Sequence, residues 1–177
     1  MAIDFKELRA QILKCEELIH KTQVASSEME TRTATELAQK YEQNIRPALR
    51  EMREIGKELM KDGIVSANEP YTPRMWVGYR VLPFTGLWFN GTAWKMEFMD
   101  GGEEESVYLP VSRDDIKIFA RDCILTQSDK AKAEFVRHWE YIEPLMAEGF
   151  EQWVKAVLNE KADRVIKRYN TAMERSA

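Results

Sequence analysis

An α+β fold follows from three observations on the chain. Up to residue 61, apolar residues recur at alternating three- and four-residue spacing, which places them on one helical face. From residue 64, aromatic-rich runs are separated by Asn-Gly and Gly-Gly pairs, as in an antiparallel meander. From Ser112 the helical spacing returns and persists almost to the end. The chain has 177 residues, so a single domain over 1–177 is expected, large enough to bury a core without metal or disulfide. The predicted architecture is an N-terminal helical hairpin over 1–63 and a four-stranded antiparallel β-meander over 64–111. Long C-terminal helices over 112–177 are expected to pack on the N-terminal ones.

The first section carries one seam at Leu8, Ile12, Cys15, Ile19 and Thr22 and another at Tyr41, Ile45, Ala48, Met52, Ile55 and Leu59. Each seam needs a partner helix, in this chain or in another copy. Between them the pattern thins, and Ser27 with Glu30 and Thr33 with Glu36 have the spacing of capping boxes. The hairpin is therefore expected as helices near 3–25 and 34–61. The alternative is one helix of about 58 residues, about 87 Å long. Pro47 should kink the second helix, because it lacks an N–H and crowds the carbonyl four residues back. Lys61-Asp62-Gly63 supplies a basic last turn and a glycine stop.

Ala67 to Pro73 reads as an extended connection. Trp76 to Leu82 gives one strand and Pro83 to Gly86 a turn. Asn90-Gly91 between Leu87-Trp88-Phe89 and Trp94 predicts a type I′ hairpin, with positive φ at both turn residues. The sequon Asn90-Gly91-Thr92 is read as part of that turn. Trp94, Met96 and Phe98 alternate with Lys95 and Glu97, so one face is core and the other wet. Asp100-Gly101-Gly102 makes the next turn, and Ser106 to Val111 returns as an edge strand, to which Pro110 points.

Ser112 opens a short helix whose stripe is Ile116, Phe119, Ala120, Cys123 and Ile124. A second start signal at Thr126 to Asp129 leads into a long helical pattern. Its first stripe is Phe135, Trp139, Ile142, Met146, Phe150, Trp153 and Val157, and a second continues through Val154, Leu158, Ala162, Val165 and Tyr169. Pro144 and Gly149 mark a kink or break.

Several chemistries have no basis in this sequence. His20 and His138 are its only histidines, each in a helical pattern, and Cys15 and Cys123 are read as free, buried packing residues. No nucleophile elbow, phosphate-binding glycine loop, dinucleotide fingerprint or zinc-ligand pair is present, so no cofactor and no metal are expected. Asp100, Glu103, Glu104 and Glu105 are read as a solvated hairpin tip that discourages edge pairing. The first 25 residues are interrupted by charges, and no apolar run approaches a membrane span. A cytoplasmic location, or the cytosol of a host cell, is expected.

Binding is thus the expected activity, and not catalysis. The section over 64–127 has 6 basic and 9 acidic side chains, yet it is rich in aromatics. Exposed Trp and Tyr are the usual anchors of protein interfaces, so Trp76, Tyr79, Trp88 and Tyr108 are the candidate residues for a protein partner. The expected function is that of a non-enzymatic interaction protein, a homodimer, such as an accessory or inhibitor protein belonging to a phage or mobile element. The alternative is nucleic-acid association through Lys161, Arg164, Lys167 and Arg168 on the basic C-terminal helix. A third reading, an enzyme with acidic catalytic residues, would draw on Asp114, Asp115 or Glu97.

Overall fold

The computed structural model describes residues 4–61, 75–81, 84–123 and 127–176. The expected connection from Ala67 to Pro73, the Asp62-Gly63 stop, Leu82, Pro83, Ile124 and Thr126 lie outside the described residues.

The first correction concerns the N-terminal section, which is not a hairpin. Helix α1 runs unbroken over Phe5–Lys40 and passes through a single π turn, Tyr41–Ile45, into α2, Arg46–Met60. Asp4 caps α1, its side chain accepting from the N–H groups of Lys6 and Glu7 at 2.9 and 3.3 Å. The helix passes through both expected cap positions, Ser27 and Thr33, and hydroxyls beside them bond backward along it. Thr31 donates to the Ser27 carbonyl and Thr35 to the Thr31 carbonyl, each four residues earlier, so this chemistry is compatible with a continuous helix. No Gly or Pro lies between Phe5 and Arg46 to interrupt it. The Pro47 signal is absorbed just upstream of the proline. The Arg46 N–H reaches back five residues to the Tyr41 carbonyl, and the wider π turn gives the ring at the start of α2 room beside the preceding carbonyls.

Strands β1 (Met75–Val81), β2 (Phe84–Phe89), β3 (Trp94–Asp100) and β4 (Glu103–Tyr108) pair antiparallel in chain order. Phe84 to Gly86, expected in a turn, belong to β2. The β2–β3 connection is a four-residue loop closing on the Phe89–Trp94 pair, not a two-residue type I′ turn. Gly91 alone has positive φ there, at 99°. Asn90 avoids that region because its side-chain oxygen accepts from the Thr92 and Ala93 N–H groups at 3.1 and 2.8 Å, forming an Asx turn. The type I′ geometry occurs instead at Gly101-Gly102, with φ of 59° and 91° between the paired Asp100 and Glu103. As a result β4 begins at Glu103 and not at Ser106, Asp100 and Glu103 flank the turn at the hairpin tip, and Glu104 and Glu105 continue along the exposed edge strand.

Helix α3 (Arg113–Asp122) starts as its sequence signal indicates: Ser112 accepts from the Asp115 N–H at 3.2 Å. Helices α4 (Gln127–Arg137) and α5 (Trp139–Ser176) follow. The break between them falls at His138, six residues before Pro144, which is accommodated within the second turn of α5, and Gly149 sits inside that helix. The result is helix-rich, with an antiparallel sheet and a long C-terminal helix, as expected at that level.

Packing separates the two expected seams. Tyr41, Ile45, Leu49 and Met52 are buried with Leu87, Phe89, Trp94, Met96 and Phe98 from one face of the sheet and with the stripe from Phe135 to Val157. Phe89 stands at the centre, edge-on to Trp153 at 4.9 Å and to Phe150 at 5.3 Å between ring centroids. The Trp94 indole N–H points to Met52 Sδ at 3.2 Å. Two further expectations fail here. Residues 4–32 of α1 are exposed throughout, including Leu8, Ile12, Ile19 and Cys15, which was expected to be buried. The second α5 stripe is likewise uncovered at Leu158, Val165 and Tyr169. The C-terminal helices therefore pack only on the part of the N-terminal helix beyond Thr33.

Candidate binding face of the sheet

Alternation along the strands decides which side chains leave the core. Leu87 and Phe89 point inward, which sends Trp88 to the opposite face, and Trp94, Met96 and Phe98 do the same for Lys95 and Glu97. The antiparallel register then aligns the candidates. Trp76 is opposite Trp88, Trp88 opposite Lys95, and Lys95 opposite Tyr108, one position from each strand. Three of the four residues expected to bind a partner thus share a single row across the sheet. The fourth, Tyr79, lies between Gly78 and Val81, where the β1–β2 register shifts, and has no partner in the register. The side chains of Trp76 and Tyr79 lie outside the described part of the structure.

Around this row is a shallow concavity of about 310 Å³, lined by Trp88, Asn90, Ala93, Lys95, Glu97 and Tyr108. Trp88 is half-buried and Tyr108 is 57% exposed. The Lys95 ammonium lies 5.4 Å from the centre of the Tyr108 ring, where the negative π face attracts it. Beyond this pair the same face continues through Glu97 opposite Ser106 and Met99 opposite Glu104. An aromatic row with one cation, bordered by carboxylates, can hold an apolar side chain and attract basic groups beside it.

Lys95 was not among the residues singled out from the sequence, although the signal was available. The two-residue Gly101-Gly102 turn fixes Asp100 opposite Glu103, and counting back along both strands places Lys95 opposite Tyr108. Misreading the Asn90 loop as a two-residue turn obscures the other half of the row, since it would pair Trp88 with Ala93.

The remaining candidates lie elsewhere. Arg164, Lys167, Arg168 and Arg175 share one face along the end of α5, and Arg164 is held by Glu160 at 2.6 Å. Lys161 is on the same segment and half-buried. His138 is half-buried and contacts Glu134 at 3.0 Å, while His20 is exposed. Asp115 accompanies Ser112 at the start of α3, and Asp114 faces solvent beside Lys117. Among the described residues no group of three or more His, Cys, Asp or Glu is arranged to hold a metal ion, and no helix is long and apolar enough to cross a membrane. Compared with known protein families, curated proteins and solved structures, the chain matches none.

Proposed function

We propose that the chain is a non-enzymatic, cytoplasmic interaction protein that engages a protein partner through the outer face of its sheet. The observation that carries this reading is the alignment of Trp88, Lys95 and Tyr108 in one row on a concave surface. Aromatic side chains there offer a large contact area at little conformational cost, and Glu97 and Glu104 favour a partner segment in which an apolar residue is flanked by Lys or Arg.

Affinity capture from an extract of the native source, read by mass spectrometry, tests it. Proteins retained by the unmodified chain should be lost with Tyr108→Ala, an exposed position whose loss leaves the core intact, and kept with Arg164→Ala/Arg168→Ala. The basic face of α5 favours the second reading, nucleic-acid association. Retention of nucleic acid that survives Tyr108→Ala and disappears with the two arginines would establish it in place of the first.

A further inference from the structure

The N-terminal arm of α1 is a helix that nothing in its own chain covers. Residues 4–32 are exposed at every position, with Phe5 70% exposed, Ile12 50% and Ile19 56%. The other uncovered apolar segment, the end of α5, cannot reach it. Trp139 shares a groove with Lys40, Pro47 and Ala48, while Trp153 lies beside Gly91 next to Met60, so α2 and α5 run side by side in the same direction. The arm therefore leaves one end of the core and the tail of α5 leaves the other. In proteins helical stability comes mostly from packing an amphipathic face, so an apolar arm with nothing of its own chain against it calls for a partner.

We infer that this partner is the arm of a second copy, paired antiparallel over residues 5–22. The seam positions are Phe5, Leu8, Ile12, Cys15, Ile19 and Thr22. In an antiparallel pair, residues of alternate spacing meet, and these six form a self-complementary set: Phe5 with the partner's Thr22, Leu8 with the partner's Ile19, Ile12 with the partner's Cys15, and the same three layers again by symmetry. Charge decides the orientation. Arg9 and Glu16 flank the seam on the same side, two turns apart, and antiparallel pairing sets each against the other on the second copy, forming two identical ion pairs. Parallel pairing in register would instead set Asp4 against Arg9, and the Asp4 carboxylate is already turned back onto the N–H groups of Lys6 and Glu7 as the helix cap. The apolar pattern also ends where the antiparallel overlap ends: beyond Thr22 the seam continues as Ser26, Met29 and Thr33, and parallel pairing would have to bury these toward the core. Only the six seam residues of each copy and their flanks are in contact, well under the roughly 20–30 residues a side of a standard interface, so a weak dimer no tighter than micromolar is expected.

The test uses the full chain at 20 to 50 micromolar in sedimentation equilibrium, with the sheet face untouched so that this inference and the proposed function stand or fall separately. The unmodified chain should be dimeric and Ile12→Asp monomeric, with the same melting temperature for the core. Arg9→Glu or Glu16→Arg alone should weaken the dimer about ten-fold, and the double exchange should restore it. A monomeric unmodified chain, or a dimer indifferent to Ile12→Asp, overturns the inference. So does failure of the double exchange to rescue, or a ready Cys15–Cys15 disulfide on mild oxidation, since that thiol pair meets only in the parallel arrangement.

Discussion

Gly56 of α2 lies directly against the carbonyl of Gly91 in the β2–β3 loop, so closely that a methyl group on Gly56 would overlap Gly91 O and touch the Phe89 ring. The helix can approach the hairpin at this distance only because residue 56 has no side chain. The contact fixes where α2 crosses the sheet, and with it the position of Phe89 between Trp153 and Phe150. Helix propensity alone would make Gly56→Ala stabilising by about 1 kcal/mol. Overlap with backbone reverses the sign, and the variant should lose about 1–3 kcal/mol in urea denaturation followed by circular dichroism. A gain in stability would show that the helix and hairpin are not in contact.

Tyr41 anchors the π turn from inside the core. Its hydroxyl donates to the Pro110 carbonyl at 2.9 Å, and its ring lies against Phe119 at 5.3 Å. Burial holds the phenol well above its ordinary value, because the ionised form would be desolvated. With the folded-state value raised, the stabilisation is complete below the unfolded value near pH 10 and is lost as pH rises beyond it, where the unfolded chain releases its proton and the folded one resists. Tyr41→Phe should cost about 1 kcal/mol at neutral pH by removing the hydrogen bond. The difference between the two proteins should shrink steadily in denaturation curves taken from pH 9 to 11. A constant difference would mean that the phenol is not buried.

Phe89 carries the aromatic contacts that join the sheet to α5. Phe89→Ala removes two edge-on ring pairs and opens a cavity between β2, α2 and α5, so a loss of about 3–5 kcal/mol is expected. Asn90→Ala, one residue further on, should cost only about 1 kcal/mol, because it deletes the hydrogen bonds that shape the loop without emptying the core. Thermal unfolding of the two variants side by side should separate packing from turn chemistry. Equal losses would contradict the central position of Phe89.

These neighbouring residues also mark where the sequence was legible. The alternation of Leu87 and Phe89 with Trp88, and of Trp94, Met96 and Phe98 with Lys95, requires only a period of two and a core on one side. The stripe from Phe135 to Val157 likewise reads directly as a buried helical face. What misled was local chemistry with two valid uses. Asn-Gly forms a type I′ turn or, with the Asn side chain folded back, a longer Asx loop, and only the pairing of Phe89 with Trp94 decides between them. Ser27 and Thr33 have capping-box spacing, yet hydroxyls in this stretch also serve a continuous helix by bonding four residues back. The seams at Leu8–Thr22 and Tyr41–Leu59 share one spacing; periodicity shows that a face is apolar but not which partner covers it. The candidate site shows the same limit. Its residue types were readable, whereas its row depends on three registers and therefore on all three connections between the strands.

The salt dependence of partner binding follows from that row and separates the two candidate surfaces. On the sheet face, Trp88 and Tyr108 would contribute by excluding water from an apolar contact, and the only cation in the row, Lys95, is already directed at the Tyr108 ring. Such an interface releases few counterions. Raising salt from 50 to 200 mM should therefore change affinity only a few-fold, whereas a protein neutralising 6–10 phosphates would lose about 10³–10⁵. Trp88→Ala should weaken binding by about 2 kcal/mol or more, provided its melting temperature matches the unmodified chain, since Trp88 is half-buried. Tyr108→Ala, at an exposed position, should weaken binding in the same direction without that complication. Arg164→Ala/Arg168→Ala should leave affinity within two-fold, because neither side chain lines the concavity around Trp88 and Tyr108. Titrations of the captured partner at the two salt concentrations give all of these values. A steep salt slope together with loss on removing the two arginines would transfer the binding site from the aromatic row to α5.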